Sequence, residues 1–272
     1  MNEDNKIIID CKKLADDVRY RLINSAKSYN GEGYWGGYLS CVEILSVLLG
    51  GVSNFCKDNE AENSKDYFFL SKGHSAKALY TVQLCLGKIN EEVFDTFGRK
   101  GSPMSVLGEY CPEYGVMQSG GSLGLGLPLA VGAALLAKRK GYSYTTYVLV
   151  GDGELNEGAN WEALMTASKY KLNNLCCIID NNKFQSDGAC SDILSWGDLL
   201  KKIESFGADV NCVDGHNCRE IYQALCKKTE EPKVIVANTI KGKGVSFMEN
   251  NNEWHHARLY GEKLKIALEE IK

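Results

Sequence analysis

Apolar positions along the chain alternate between two spacings. Leu14, Val18 and Leu22 recur at helical intervals and predict a first helix of about twenty residues; Val42 to Leu49 predicts a second. The helical spacing breaks at YFFL (67–70), TTYVLV (145–150), LCCIID (175–180) and KVIVAN (233–238). The last three are apolar almost throughout, as strands covered on both faces must be. Between them the pattern predicts the helix SAKALYTVQLCL after SKGH, and further helices at about 158–170, 196–205 and 218–229. Strands alternating with helices predict an α/β fold: a doubly wound, mostly parallel sheet flanked by helices, with residues 1–272 as a single domain.

From Tyr114 to Ala137 no residue is charged, a length that could cross a hydrocarbon layer of about 30 Å. Its first half, YGVMQSGGSLGLGLP, carries repeated glycines, Gln118, two serines and Pro128, which describe a loop and a helix start. Only LAVGAALLAKRK continues as helix, and its three terminal basic residues suit a helix C-terminus. No membrane span is expected.

Composition narrows the classes further. A chain of 272 residues, 44% hydrophobic, can bury a full core. Its net charge of −4, without a dense Lys/Arg stripe, gives no reason to expect nucleic acid. The start MNEDNKIIID lacks the basic residues and apolar run of an export signal, so a cytoplasmic location is expected. Eleven cysteines form no CxxC, and Cys212, His216 and Cys218 around the VDGHN turn are wrongly spaced for zinc. Scattered free thiols in a reducing compartment are the expectation.

Candidate chemistry lies at YVLVGDGELNEGANWEA (147–163), where a buried strand runs into Gly151, Asp152 and Gly153 and then into a helix. Ligands of parallel sheets bind beyond such strand ends, and a helix start favours phosphate. Asp152 would repel phosphate unless a divalent cation lay between them; Mg²⁺, which bridges carboxylates to substrate phosphates, fits best. A second oxygen donor follows the next predicted strand: LCCIID runs into Asn181, Asn182, Lys183 and Phe184, with twenty-seven residues between GDG and NN. That spacing holds one helix and one strand.

GDG, this interval and NN together resemble the signature of thiamine diphosphate enzymes. The wider chain is similar to the N-terminal half of transketolases through LSKGHSAKALY, SGGSLGLGL, GDGELNEG, IIDNNKFQSDG, VDGHN and KGKGVSFMENNNEWHHA, in order. The resemblance implies a thiamine diphosphate-binding domain in which Asp152, Asn182 and the Phe184 carbonyl hold Mg²⁺ (or Ca²⁺ or Mn²⁺). It implies cofactor contacts from His74, Gly121, Ser122, Leu123, Gly153, Glu154, Asn182 and His255, with His74 and His255 also facing the reacting carbons. Histidine suits that place because it titrates near neutrality and can shuttle protons. Glu154, Glu157 and Glu162 also suit the first turns of a helix, and the resemblance puts the counterpart of Glu157 at a subunit interface. His216 is expected to be a structural turn residue, and His256 exposed.

The glutamate that activates the cofactor in transketolases belongs to the domain that follows. The resemblance therefore implies a transferase of carbohydrate metabolism, moving a two-carbon unit from a ketose or ketose phosphate to an aldehyde or sugar acceptor. It is completed by a second subunit carrying the pyrimidine-binding and C-terminal domains, as a pair of heterodimers (α2β2). Three positions depart from the family: Tyr34 in GYWGG and Glu109 in VLGEYCPEY where histidines bind sugar hydroxyls, and Leu125 where Gln or His is common. These leave open a carboligase that uses a 2-oxo acid such as pyruvate as donor, a 2-oxo acid dehydrogenase-type subunit, and a non-catalytic cofactor-binding paralogue.

Overall fold

The computed structural model describes residues 2–56 and 61–271. Strands are β1 (Glu32–Gly33), β2 (Tyr67–Leu70), β3 (Thr146–Gly151), β4 (Leu175–Asn181), β5 (Asp209–Asp214), β6 (Lys233–Asn238) and β7 (Ala257–Arg258). β2 to β6 form one fully parallel sheet in the order β2-β3-β4-β6-β5. The alternation of side chains along each strand divides the core in two. Val148, Val150, Cys177, Ile179, Val234 and Val236 meet the helices Gly126–Lys140, Gly158–Lys169 and Leu199–Ser205 on one face. Tyr147, Leu149, Cys176, Ile178, Ile235 and Ala237 meet Glu3–Asn24, Val42–Val47, Ala76–Cys85 and Cys218–Cys226 on the other. Both faces are therefore dry, which is why these strands read as unbroken apolar runs.

The expected helices are present, with shifted ends. The first, Glu3–Asn24, is capped by Asn2, whose side chain accepts from the Asn5 N–H at 3.0 Å, and buries Ile8, Cys11, Ala15, Val18 and Leu22 as one stripe. The uncharged stretch resolves into a loop and the helix Gly126–Lys140, which ends where Gly141 turns left-handed at φ 70°. No helix of the described residues is long and apolar enough to cross a membrane. The sequence pattern misses β5. Its DVNCVD is an edge strand in which Val213 alone is buried, so it lacks the apolar run of the central strands.

Register fixes the working end of the sheet. Gly151 pairs with Asp180, and Asn181 with Asn238, so β3, β4 and β6 finish level with one another. β1 and β7 form a separate antiparallel ribbon, Gly33 opposite Ala257, at whose ends sit Tyr34 and His256. A hollow of about 430 Å³ between Tyr67, Gln83 and Pro112 lies at the starting end of β2. It gathers none of the predicted site residues.

Candidate functional site

A cleft of about 270 Å³ opens over the ends of β3 and β4, lined by Lys72, His74, Leu123, Asp152, Asn182 and His255 together with Gly153, Glu154, Phe184 and Gln185. Asp152 begins the turn that ends β3 and is 2% exposed. One of its oxygens accepts from the Gly153 N–H at 2.8 Å and the other from the Lys183 N–H, so the carboxylate ties the two strand ends together. Burial, reinforced by Asp180, pushes this carboxyl up to about 6. A divalent cation would relieve that cost. Asn182 is buried beside it, its Oδ1 accepting from the Phe184 N–H at 3.1 Å. Asn156, also in the cleft wall, has a buried Oδ1 without a hydrogen-bond partner among the described residues. Oxygen donors around one carboxylate are the set expected for a hard cation that completes its shell with phosphate oxygens and water.

Beneath these donors, Asp180 and Lys72 are sealed from solvent as an ion pair. Burial alone would raise the Asp180 carboxyl, but the Lys72 charge and hydrogen bonds from Lys72, Ser40 and Thr239 outweigh it and hold it low. Lys72 also donates to the Gly37 carbonyl at 3.3 Å.

His74 and His255 face each other with ring centroids 5.7 Å apart. Tyr34 packs against both, 5.5 Å from His74 and 5.7 Å from His255, so that the three rings form a triangle, and His256 lies 4.6 Å from Tyr34. Burial, the Lys72 charge and His255 hold His74 well below the ordinary histidine range. Burial and Lys241 hold His255 down to about 4. Both rings are therefore neutral near pH 7. The Lys241 ammonium lies 2.9 Å from His255 Nδ1 and also bonds Asn252 at 2.6 Å. An ammonium only donates, so His255 must carry its proton on Nε2.

The remaining predicted positions divide. Gly121, Ser122 and Leu123 form an exposed rim, of which Leu123 reaches the cleft. Glu154 is 2% exposed, and its two oxygens accept from Ser71, from the Gly124 N–H at 2.8 Å and from the Gly151 N–H at 3.1 Å. It braces three loops, although it also borders the cleft. Glu109 is exposed and does not line the cleft; its loop packs on Gly120, where an added Cβ would sit 2.1 Å from the Leu107 carbonyl. Leu125 is half exposed on the outer side, near Leu129. Glu157 lines the cleft mouth, exposed. The sequence pattern did not single out Lys72, Lys241 or Asn156. The only signal was that the two lysines fall inside the blocks LSKGH and KGKG.

Residues 11–271 match the family described as transketolase, thiamine diphosphate binding domain. Over 100% of its length the chain is 38% identical to an apulose-4-phosphate transketolase subunit of Actinobacillus succinogenes, of which it covers 99%. It is 36% identical to the 6-deoxy-6-sulfo-D-fructose transketolase subunit SqwG of a Clostridium species, covering 97% of each chain. The solved transketolase of Campylobacter jejuni superposes with a TM-score of 0.85 at 28% identity over the whole chain, which spans 43% of that enzyme.

Proposed function

The chain belongs to the transketolase family through its thiamine diphosphate binding domain, and from that premise we propose that it is the cofactor- and metal-holding subunit of a two-chain transketolase. The observation that carries the reading is that Asp152 and Asn182 follow level strand ends, whose loops are tied by the Lys183 N–H donating to Asp152, and line one cleft. Asp152, Asn182 and the Phe184 carbonyl hold Mg²⁺, and the glycine-bounded turn beside them takes the diphosphate. Thiamine diphosphate, when bound, supplies the electron sink for breaking and making the carbon–carbon bond.

The chain's own residues do the rest. Lys241 fixes the His255 tautomer, so its Nε2–H is aimed as a donor toward a substrate oxygen, and burial keeps the ring neutral. His74 faces it from the opposite wall. Tyr34, packed against both, presents a phenol to sugar hydroxyls where the family's pattern has imidazole. The phosphate and sulfo groups in the relatives' names support a ketose donor that bears an anionic group.

Beside the cleft Leu123 and Leu125 stand exposed on the loop before the helix Gly126–Lys140, as do Leu129 and Leu136 on that helix and Met165 on Gly158–Lys169. Such an apolar surface suits a contact between subunits. The partner carries the pyrimidine-binding and C-terminal domains, in an α2β2 assembly. The test is to express both chains together with thiamine diphosphate and Mg²⁺, offer ketose phosphate, ketose sulfonate and pyruvate donors with an aldehyde acceptor, and weigh the products. Transfer of a two-carbon unit from a ketose is expected. Carbon dioxide release from pyruvate with acyl transfer would reassign the donor, and no transfer with cofactor bound would overturn the reading.

A further inference from the structure

The VDGHN turn, Val213–Asn217, lies outside the cleft lining, yet every residue after its valine has a defined task. Asp214 accepts from the His216 N–H at 2.9 Å, and Asn217 caps the helix Cys218–Cys226 through Arg219 and Glu220. Gly215 lets the turn lie against the end of β6: a Cβ there would sit 2.3 Å from the Thr239 methyl carbon. That contact brings the His216 ring to the segment following β6. The backbone N–H of Ile240 donates to His216 Nε2 at 2.8 Å, and His216 Nδ1 lies 3.0 Å from Glu43.

The first of these bonds requires an unprotonated Nε2, so the proton sits on Nδ1 and is donated to Glu43. Glu43 is in turn paired with Arg19, whose Nε donates to the Lys243 carbonyl at 3.3 Å. Two outer helices thus grip the stretch 240–243 from behind. Ile240 sits between Thr239, which bonds Asp180, and Lys241, which bonds His255. We propose that His216 is a positioning residue: by accepting the Ile240 N–H it fixes the backbone from which Lys241 reaches His255, and so sets the tautomer of a ring about forty residues away in sequence.

The catalytic consequence rests on the reading of His255 given above, but the linkage can be tested without it. The full chain contains four histidines, few enough to assign in an imidazole ¹H–¹⁵N spectrum of the cofactor-free protein at pH 7. His255 should show one tautomer, protonated on Nε2, and His216 the other. Lys241→Met defines the His255 signal without its partner. In His216→Phe, which fills the space without an acceptor, His255 should lose its single-tautomer signature and move toward the Lys241→Met signal. His216→Gln, which restores an acceptor, should recover most of it. If His216→Phe does not fold, Glu43→Ala, which leaves the ring but removes its anchor, should move the His255 signal in the same direction. An unchanged His255 signal in folded His216→Phe, or in Glu43→Ala where that variant is read in its place, overturns the proposal, whatever the chain's activity. Thermal melting alone would not register the change.

Discussion

Lys72 and Asp180, 108 positions apart in sequence, form an ion pair whose side chains are 1% and 0% exposed. It sits directly behind Asn182, whose amide reaches Asp180 at 3.4 Å. A buried pair adds little net stability, yet loss of one member strands a charge. Lys72→Met should therefore destabilise the chain by about 3–5 kcal/mol. Lys72→Met with Asp180→Leu should be markedly less damaging than Lys72→Met alone. Denaturant unfolding of both variants checks this; equal losses would mean that the stranded charge is not the cause.

Asp152→Asn should abolish Mg²⁺-dependent thiamine diphosphate binding while the cofactor-free chain melts close to the wild type. The carboxylate lies at a strand end, and its own burial is unfavourable until a cation meets it. Calorimetric titration with and without Mg²⁺ reads the effect, and cofactor affinity equal to the wild type would refute the metal assignment.

Lys77 is 0% exposed, and its ammonium, without a hydrogen-bond partner among the described residues, lies over the rings of Trp35 and Phe97 at 5.4 and 4.6 Å. Burial pushes it from 10.5 down to about 8. Folding thus disfavours its charged form: the penalty is complete below pH 8, shrinks as pH rises, and vanishes above 10.5. Lys77→Met should be more stable than the wild type by up to about 3 kcal/mol at pH 7. The gap should close as the pH approaches 10. Paired unfolding curves at several pH values test the sign; a gap that widens with pH would contradict it.

Tyr34→Phe should lower kcat/KM for the natural donor by about tenfold or more, the loss expected when a substrate hydroxyl is left unpaired at 1–3 kcal/mol. Tyr34→His should raise turnover of ordinary ketose phosphates relative to that donor. Steady-state kinetics of the two-chain enzyme decide, and unchanged ratios in both variants would make the ring a wall without a role in selection.

Glu154→Gln leaves one side-chain oxygen for three donors, and its amide must face a backbone N–H. The loss should fall on stability, about 1–3 kcal/mol, and far less on cofactor affinity. A large drop in affinity at wild-type stability would instead make Glu154 a direct cofactor contact.

Local physics made much of this protein legible from its residues. Strands buried on both faces must be apolar throughout, so β3, β4 and β6 announce themselves, and the stripe Leu14, Val18, Leu22 does the same for the first helix. Asp152 and Asn182 could be found because each directly follows such a strand, and one helix plus one strand sets their separation. Edge strand β5 escaped because partial exposure leaves its polar residues free of any pattern.

The burial and partners of three lysines could not be read from the sequence. A sequence shows Lys72, Lys77 and Lys241 as surface charges, and only the folded chain brings Asp180 to the first, two aromatic rings to the second and His255 to the third. The same holds for His216, whose partners Glu43 and Ile240 lie 173 and 24 positions away. Sequence determined which segments become strands and which residue types end them, because burial acts on neighbours in the chain. Tertiary structure alone decided the protonation and aim of the site's side chains, because those depend on charges and donors that distant segments bring within hydrogen-bonding distance.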